Sequence, residues 1–339
     1  MTDHATENLR ALLAASLDEA RAARLLATID VPASLPGASG TSVPRATIAY
    51  ALTMVLFDSL LDRVPAARDY VDSVVAAGRK VVFDHGALRT VAAPETGALP
   101  PGDSAFARIL VPLGYEAAAV YPLDRIAMTG RAYRHRDFPE AIPQFFVSEL
   151  HPERFSPAFQ AAVARVLATS RDPLTVEAVR RLERLARDRA LPTEEAAALV
   201  AVLVPCFTRQ HEAPRLADYE TLLAESAEMA WIATEGNAFN HATDRVADVV
   251  AVAEAQRRAG RAIKETVEVS GTGRIRQTAF KAAIVARDFV DGDGRIVRRM
   301  VPGSFYEFIS RDLLPDGSGL DLGFDAGNAQ GIFKMTSAV

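Results

Sequence analysis

Residues 80–92 read KVVFDHGALRTVA. Val81, Phe83, His85, Ala87 and Arg89 alternate with Val82, Asp84, Gly86 and Leu88, a period of two that predicts a strand. The text before this stretch is written at another period. Leu9, Leu12, Leu13 and Leu17, followed by Ala20, Ala23, Leu25 and Leu26, approximate one helical stripe, and Pro44 opens a second helix running through Leu61. Beyond it, Tyr115–Tyr121, Ile126–Tyr133 and Ile142–Leu150, bounded by Pro122, Pro139, Pro143 and Pro152, read as further strands. Helix returns from Ser156 to Glu228, where Pro157 suits a first helical turn and TVEAVRRLERLARDRALPTEEAAALVAVLV (175–204) sets Leu and Val at helical spacing among alternating charges. The closing strands are Ala262–Val269, Arg274–Phe289, Arg295–Met300 and Ser304–Ile309, with SGTG and DGDG as turns.

This order predicts an α+β protein on a largely antiparallel central sheet wrapped by helices. One domain over 1–339 is expected, made of N-terminal helices (1–79), a first strand block (80–153), a helical insertion (156–230) and a second strand block (231–339). Regular strand–helix alternation is lacking, which excludes a doubly wound dinucleotide fold. No internal repeat stands out.

The 339 residues are 49% hydrophobic and 24% charged, the make-up of a folded chain rather than a disordered one. A formal charge of -5 argues against nucleic acid as a partner, and the single tryptophan, Trp231, offers little for base stacking. Cys206 is the one cysteine, so neither a disulfide framework nor a cysteine zinc cluster is available, which fits the cytoplasm. Acids and arginines interrupt residues 1–30, and the apolar stretches 48–57 and 196–207 are short of the ~20 residues a bilayer requires, so no membrane association is expected.

Familiar motifs fail. SGTGRIRQ (270–277) lacks the third glycine of a dinucleotide loop, and the calcium-like DGDGRIVRRMVP (291–302) ends on Pro302 where a glutamate is required. No nucleophile elbow or phosphate loop occurs, and Cys206, between Pro205 and Phe207, reads as a buried hydrophobe. Arg131, Arg134, His135 and Arg136 fit an anion site and a solvated turn equally well.

Of the six histidines, His4 falls near the start of the chain, His151 precedes a proline, and His211 sits in the polar stretch TRQHEAP, all expected at the surface or in turns. His85 is followed four residues on by Arg89, a spacing that shares a face in either strand or helix. Such a pair could hold a metal and a substrate carboxylate side by side. A hydrogen-bonded core histidine beside an exposed arginine explains the same letters more simply. His241 lies in EGNAFNHATDRV, a polar cluster that helix capping by Thr243 or Asp244 explains in part. A mononuclear iron site would need two histidines and a carboxylate, and among 43 acids the residues alone do not select the third ligand.

GRAYRHRDFPEAIPQFFVSELHPERFSP (130–157), EGNAFNHATDRV (235–246), KETVEVSGTGRIRQTAF (264–280), PGSFYEFISRD (302–312) and NAQGIFKMT (328–336) resemble the 2-oxoadipate dioxygenase/decarboxylase family, formerly catalogued as a domain of unknown function. The resemblance runs in order from about His85 to Thr336. It implies a vicinal-oxygen-chelate-like sheet, similar to that of hydroxymandelate synthase, and an iron(II) enzyme that turns 2-oxoadipate and dioxygen into 2-hydroxyglutarate and carbon dioxide, as in lysine catabolism. It places the metal ligands on His85, His241 and Glu307 and the catalytic, carboxylate-anchoring role on Arg89. His85, Arg89, Gly327 and Asn328 then border the substrate. Glu307 by itself would read as an exposed strand acid. The run Gly327–Gln330 departs from the lysine-pathway enzymes, which leaves the length of the oxoacid open. Imidazole and carboxylate ligands also accept other divalent ions. Two rival readings keep the pocket: a non-oxidative metal-dependent isomerase or hydrolase, and a non-catalytic metabolite-binding protein. Nothing in the sequence sets an oligomeric state.

Overall fold

The computed structural model describes residues 2–37, 41–325 and 327. Its strands in chain order are β1 (Ser42–Pro44), β2 (Phe83–Val91), β3 (Tyr115–Leu123), β4 (Met128–His135), β5 (Gln144–Leu150), β6 (Ala190–Pro192), β7 (His241–Arg245), β8 (Glu268–Val269), β9 (Ile275–Ala279), β10 (Ile284–Val290), β11 (Ile296–Pro302) and β12 (Phe305–Arg311). The helices are α1 (Thr2–Leu13), α2 (Glu19–Thr28), α3 (Arg45–Arg63), α4 (Pro65–Ala76), α5 (Ser104–Leu110), α6 (Pro157–Leu167), α7 (Val176–Asp188), α8 (Thr193–Leu203), α9 (Leu216–Glu225), α10 (Ala227–Glu235) and α11 (Val249–Arg258).

Eight strands form one sheet in the order β3-β4-β5-β2-β7-β12-β9-β8. Among the described residues the β2–β5 and β7–β12 ladders are the parallel ones of this sheet, so the expected α+β fold with a largely antiparallel sheet stands. The connectivity repeats. Strand β2, helix α5 and strands β3, β4 and β5 make one half; β7, α11, β8, β9 and β12 make the other, with the same spatial order running outward from a β2–β7 seam. Sequence reading finds no repeat because the halves share a chain path and not a string of letters, and the β10–β11 hairpin interrupts the second.

α3 is buried on nearly every side, which explains its almost unbroken apolar text. Phe57 on it packs against Phe83 and Tyr306, with ring centroids at 5.0 and 6.1 Å, seating the helix across the seam. The β1–β6 ribbon ties the N-terminal helices to the α6–α10 block. Ser156 caps α6 through the Phe159 amide and Pro157 takes its first turn.

Three expectations need correction. Arg274–Phe289 is not one strand: the chain leaves the sheet after Ala279, and β10 forms a separate two-stranded ribbon with β11. Ala262–Val269 contributes only the two residues of β8, with an isolated bridge from Ile263 to Phe280. The alternation at 80–92 also breaks, because Phe83 faces Asp244 whereas His85 faces Thr243. Asp84 is therefore the extra residue of a bulge, a device that re-aims side chains.

Gly86 sits at the seam because a Cβ there would lie 2.4 Å from the Phe239 ring. Gly86→Ala is expected to destabilise the fold by about 1–3 kcal/mol through overpacking. A urea midpoint equal to that of the unaltered chain would show that the ring yields freely.

Candidate metal centre

His85 lies on β2, His241 opens β7, and Glu307 stands on β12. Thr243, on the strand between the other two, faces both His85 and Glu307 across the ladders. Its hydroxyl donates to Glu307 Oε2 at 2.7 Å and lies 3.1 Å from His85 Nε2. Glu307 Oε2 is 3.2 Å from His85 Nε2 and 3.6 Å from His241 Nε2. One ligand atom from each residue falls within 4.8 Å of the others, and all three side chains are buried. Glu307, at 1% exposure, is thus no surface strand acid.

The donor set fits a divalent cation. Among the described residues Glu307 Oε1 is buried with no hydrogen-bond partner, an arrangement costly for a carboxylate unless a cation meets it. The separations of 3.2 and 3.6 Å are near the spacing set by two bonds of about 2.1 Å meeting at a right angle. Burial pushes His241 down to about 3, only partly opposed by Glu307, so the ring is neutral at physiological pH, the form that ligates metals. Burial also disfavours charge on His85 and Glu307, but their mutual attraction, with Asp84 on the histidine and with His241 and Thr243 on the glutamate, outweighs it. His85 is raised and Glu307 held below the usual carboxylate range.

The repeat explains the layout. A two-fold through the Gly86–Ala242 pair takes His85 to His241 and Ala87 to Thr243. Glu307 faces Thr243, and its counterpart facing Ala87 is Phe146. Three of the four equivalent positions therefore carry donors, and the fourth presents an apolar ring to the cleft.

That cleft has about 440 Å³ of atom-free space, open solvent included. Arg89, Phe146, Ser148, Gln277 and Phe324 line it with the three candidate ligands. Arg89 shares the face of His85, yet it is 1% exposed and not the solvated arginine of the simpler account. Its guanidinium carbon stands 4.8 Å from the centre of the Trp231 ring, whose Nε1–H donates to the Gly303 carbonyl. Burial pushes Arg89 down to about 10 against the pull of Glu228, so it still carries its charge. Gly327 is exposed and its amide donates to Asp325 Oδ1 at 2.8 Å; Asn328 lies outside the described residues.

Several sequence expectations move. His241 is in a strand, and the next helix is capped by Asp248 rather than by Thr243 or Asp244. Asp244 instead accepts from the Tyr70 hydroxyl. His211 is buried against the Ala233 carbonyl, not at the surface. The basic patch is spoken for: Arg131 pairs with Glu149, Arg136 with Glu116, and His135 is fully buried. Sequence reasoning missed Asp84, Trp231, Thr243, Arg311 and Phe324, whose roles exist only once distant strands meet.

The sequence pattern of the 2-oxoadipate dioxygenase/decarboxylase family matches residues 54–322. The chain belongs to that family. Among solved structures, a protein from Ralstonia eutropha JMP134 named for the glyoxalase superfamily is 59% identical, with a TM-score of 0.92 over 95% of this chain and 99% of that one. The Oryza sativa hydroxyglutarate synthase, solved with 2-oxoadipate, is 21% identical, with a TM-score of 0.66 over 90% of this chain and 98% of its own. The Pseudomonas putida hydroxyglutarate synthase, also with 2-oxoadipate, is 20% identical, with a TM-score of 0.54 over 86% and 68%. The 59% identical structure gives the family member the fold of the glyoxalase superfamily, a vicinal-oxygen-chelate fold, and the two distant synthases share that fold. No curated protein matches the chain. Among the described residues no helix is long and apolar enough to cross a membrane.

Proposed function

We propose that this family member is a cytoplasmic iron(II) enzyme that converts 2-oxoadipate and dioxygen into 2-hydroxyglutarate and carbon dioxide. The observation that carries the reading is the buried His85, His241 and Glu307 set opening into one cleft with Arg89. Bound iron(II) supplies a site at which a 2-oxoacid and dioxygen meet, and the oxoacid itself furnishes the electrons, so the overall reaction balances without another reductant.

The chain's own residues bind and orient. Arg89 takes a substrate carboxylate by charge-assisted hydrogen bonds, and the Trp231 ring beneath it restricts the guanidinium to one region of the cleft. Phe146 and Phe324, 4.8 Å apart, cover the cleft with apolar surface and keep water from the reacting carbon. Thr243 donates to Glu307 Oε2, which fixes the plane of the carboxylate. Held this way, the keto end of the substrate lies at the histidine–glutamate set while its far end reaches Arg89.

Oxygen consumption by anaerobically iron-loaded protein given 2-oxoadipate tests the reading, with product identified by mass spectrometry. One 2-hydroxyglutarate per dioxygen is expected. No uptake with 2-oxoadipate or with shorter and longer 2-oxoacids would sink it.

A further inference from the structure

The bulge on β2 turns the Asp84 carboxylate back onto its neighbour, with Oδ1 2.7 Å from His85 Nδ1. Asp84 in turn receives Arg311 from the end of β12, through Nε at 3.0 Å to Oδ2 and Nη2 at 2.9 Å to Oδ1. Both side chains are essentially inaccessible to solvent. The remaining arm of Arg311 does something else. Nη1 donates to the main-chain carbonyls of Asp321 and Gly323, each at 2.8 Å, and the guanidinium carbon stands 5.3 Å from the centre of the Phe324 ring. Phe324 meets the His85 ring edge-on at 4.9 Å and lines the cleft.

We infer that Asp84 and Arg311 are positioning residues that fix two things at once: the tautomer and plane of His85, and the seating of residues 321–324 over the cleft. With Asp84 accepting the Nδ1 proton, Nε2 is the atom left to meet a cation shared with Glu307 and His241, and such outer partners commonly set metal affinity. A carboxylate buried beside a histidine would be costly without its own counter-charge, which Arg311 provides. An ammonium in place of Arg311 would meet Asp84 as a point charge but has no planar fork to span carboxylate and carbonyls together. The two functions are therefore separable by substitution.

The inference rests on the reading that His85, His241 and Glu307 hold a metal, so the test begins with Co(II) titrated into the metal-stripped full chain by chelator competition. Asp84→Asn is expected to weaken Co(II) binding roughly 10–100-fold. Arg311→Lys is expected to bind Co(II) within about threefold of the unaltered protein while amide exchange across residues 320–325 rises about tenfold or more. Arg311→Met should show both defects, with circular dichroism confirming that each variant is folded. No Co(II) uptake by the unaltered protein overturns the metal reading and this one with it. Normal uptake that neither Asp84→Asn nor Arg311→Met disturbs overturns the positioning role alone, as does an Arg311→Lys variant whose 320–325 exchange is unchanged.

Discussion

His241→Ala is expected to lower divalent-metal affinity by roughly 100-fold or more, since a ligand counts for more than the outer partners that hold it, and to bring oxygen uptake with 2-oxoadipate to background. The ring is neutral, buried and close to Glu307, so its loss removes one of two nitrogen donors. The loss also vacates space beside Phe305, whose ring lies 4.8 Å away, and a cavity of that kind costs about 1–3 kcal/mol of stability. Metal binding and thermal unfolding are therefore measured together. A folded variant that retains full Co(II) affinity would remove His241 from the metal set.

Arg89→Ala is expected to act on the other half of the site. Losing a buried charge-assisted partner worth about 3–4 kcal/mol corresponds to a fall in kcat/KM of roughly 10²–10³-fold, with metal content unchanged. Arg89→Lys should recover little, because an ammonium offers neither a bidentate fork nor the same stacking on Trp231. Quantifying iron beside kinetics decides the matter: iron lost in step with activity would make Arg89 a structural prop of the metal centre rather than a substrate anchor.

How far the sequence discloses this site depends on whether a side chain's place follows from local period. His85 and Arg89 are legible as a pair because a spacing of four shares a face in strand and helix alike. His241 stands out only as one polar residue in a crowded stretch, and its strand is masked by letters that also suit a helix cap. Glu307 carries no local signal. It acquires meaning when β12 comes to lie beside β7, a parallel pairing that no turn announces, and only family resemblance singles it out beforehand. Asp84 is in the first stretch read, yet simple alternation assigns it to the wrong side because the bulge is set by pairing with β7. Its partner Arg311 is 227 residues away. The sheet class is readable from strand blocks and prolines, whereas the twofold path of the chain is not, since equivalent positions such as Glu307 and Phe146 are chemically unlike.

The seam between the halves carries consequences for mechanics. In the sheet the two halves meet only where β2 pairs with β7, through Phe83, His85, Gly86 and Ala87. His85 belongs to one side of that joint, His241 and Glu307 to the other. An ion held by all three would rivet the joint shut, and removing it would let the halves work against each other beside the cleft that Arg89 and Glu307 both line. Loss of metal should then announce itself as a loosening along this joint well before the helices melt.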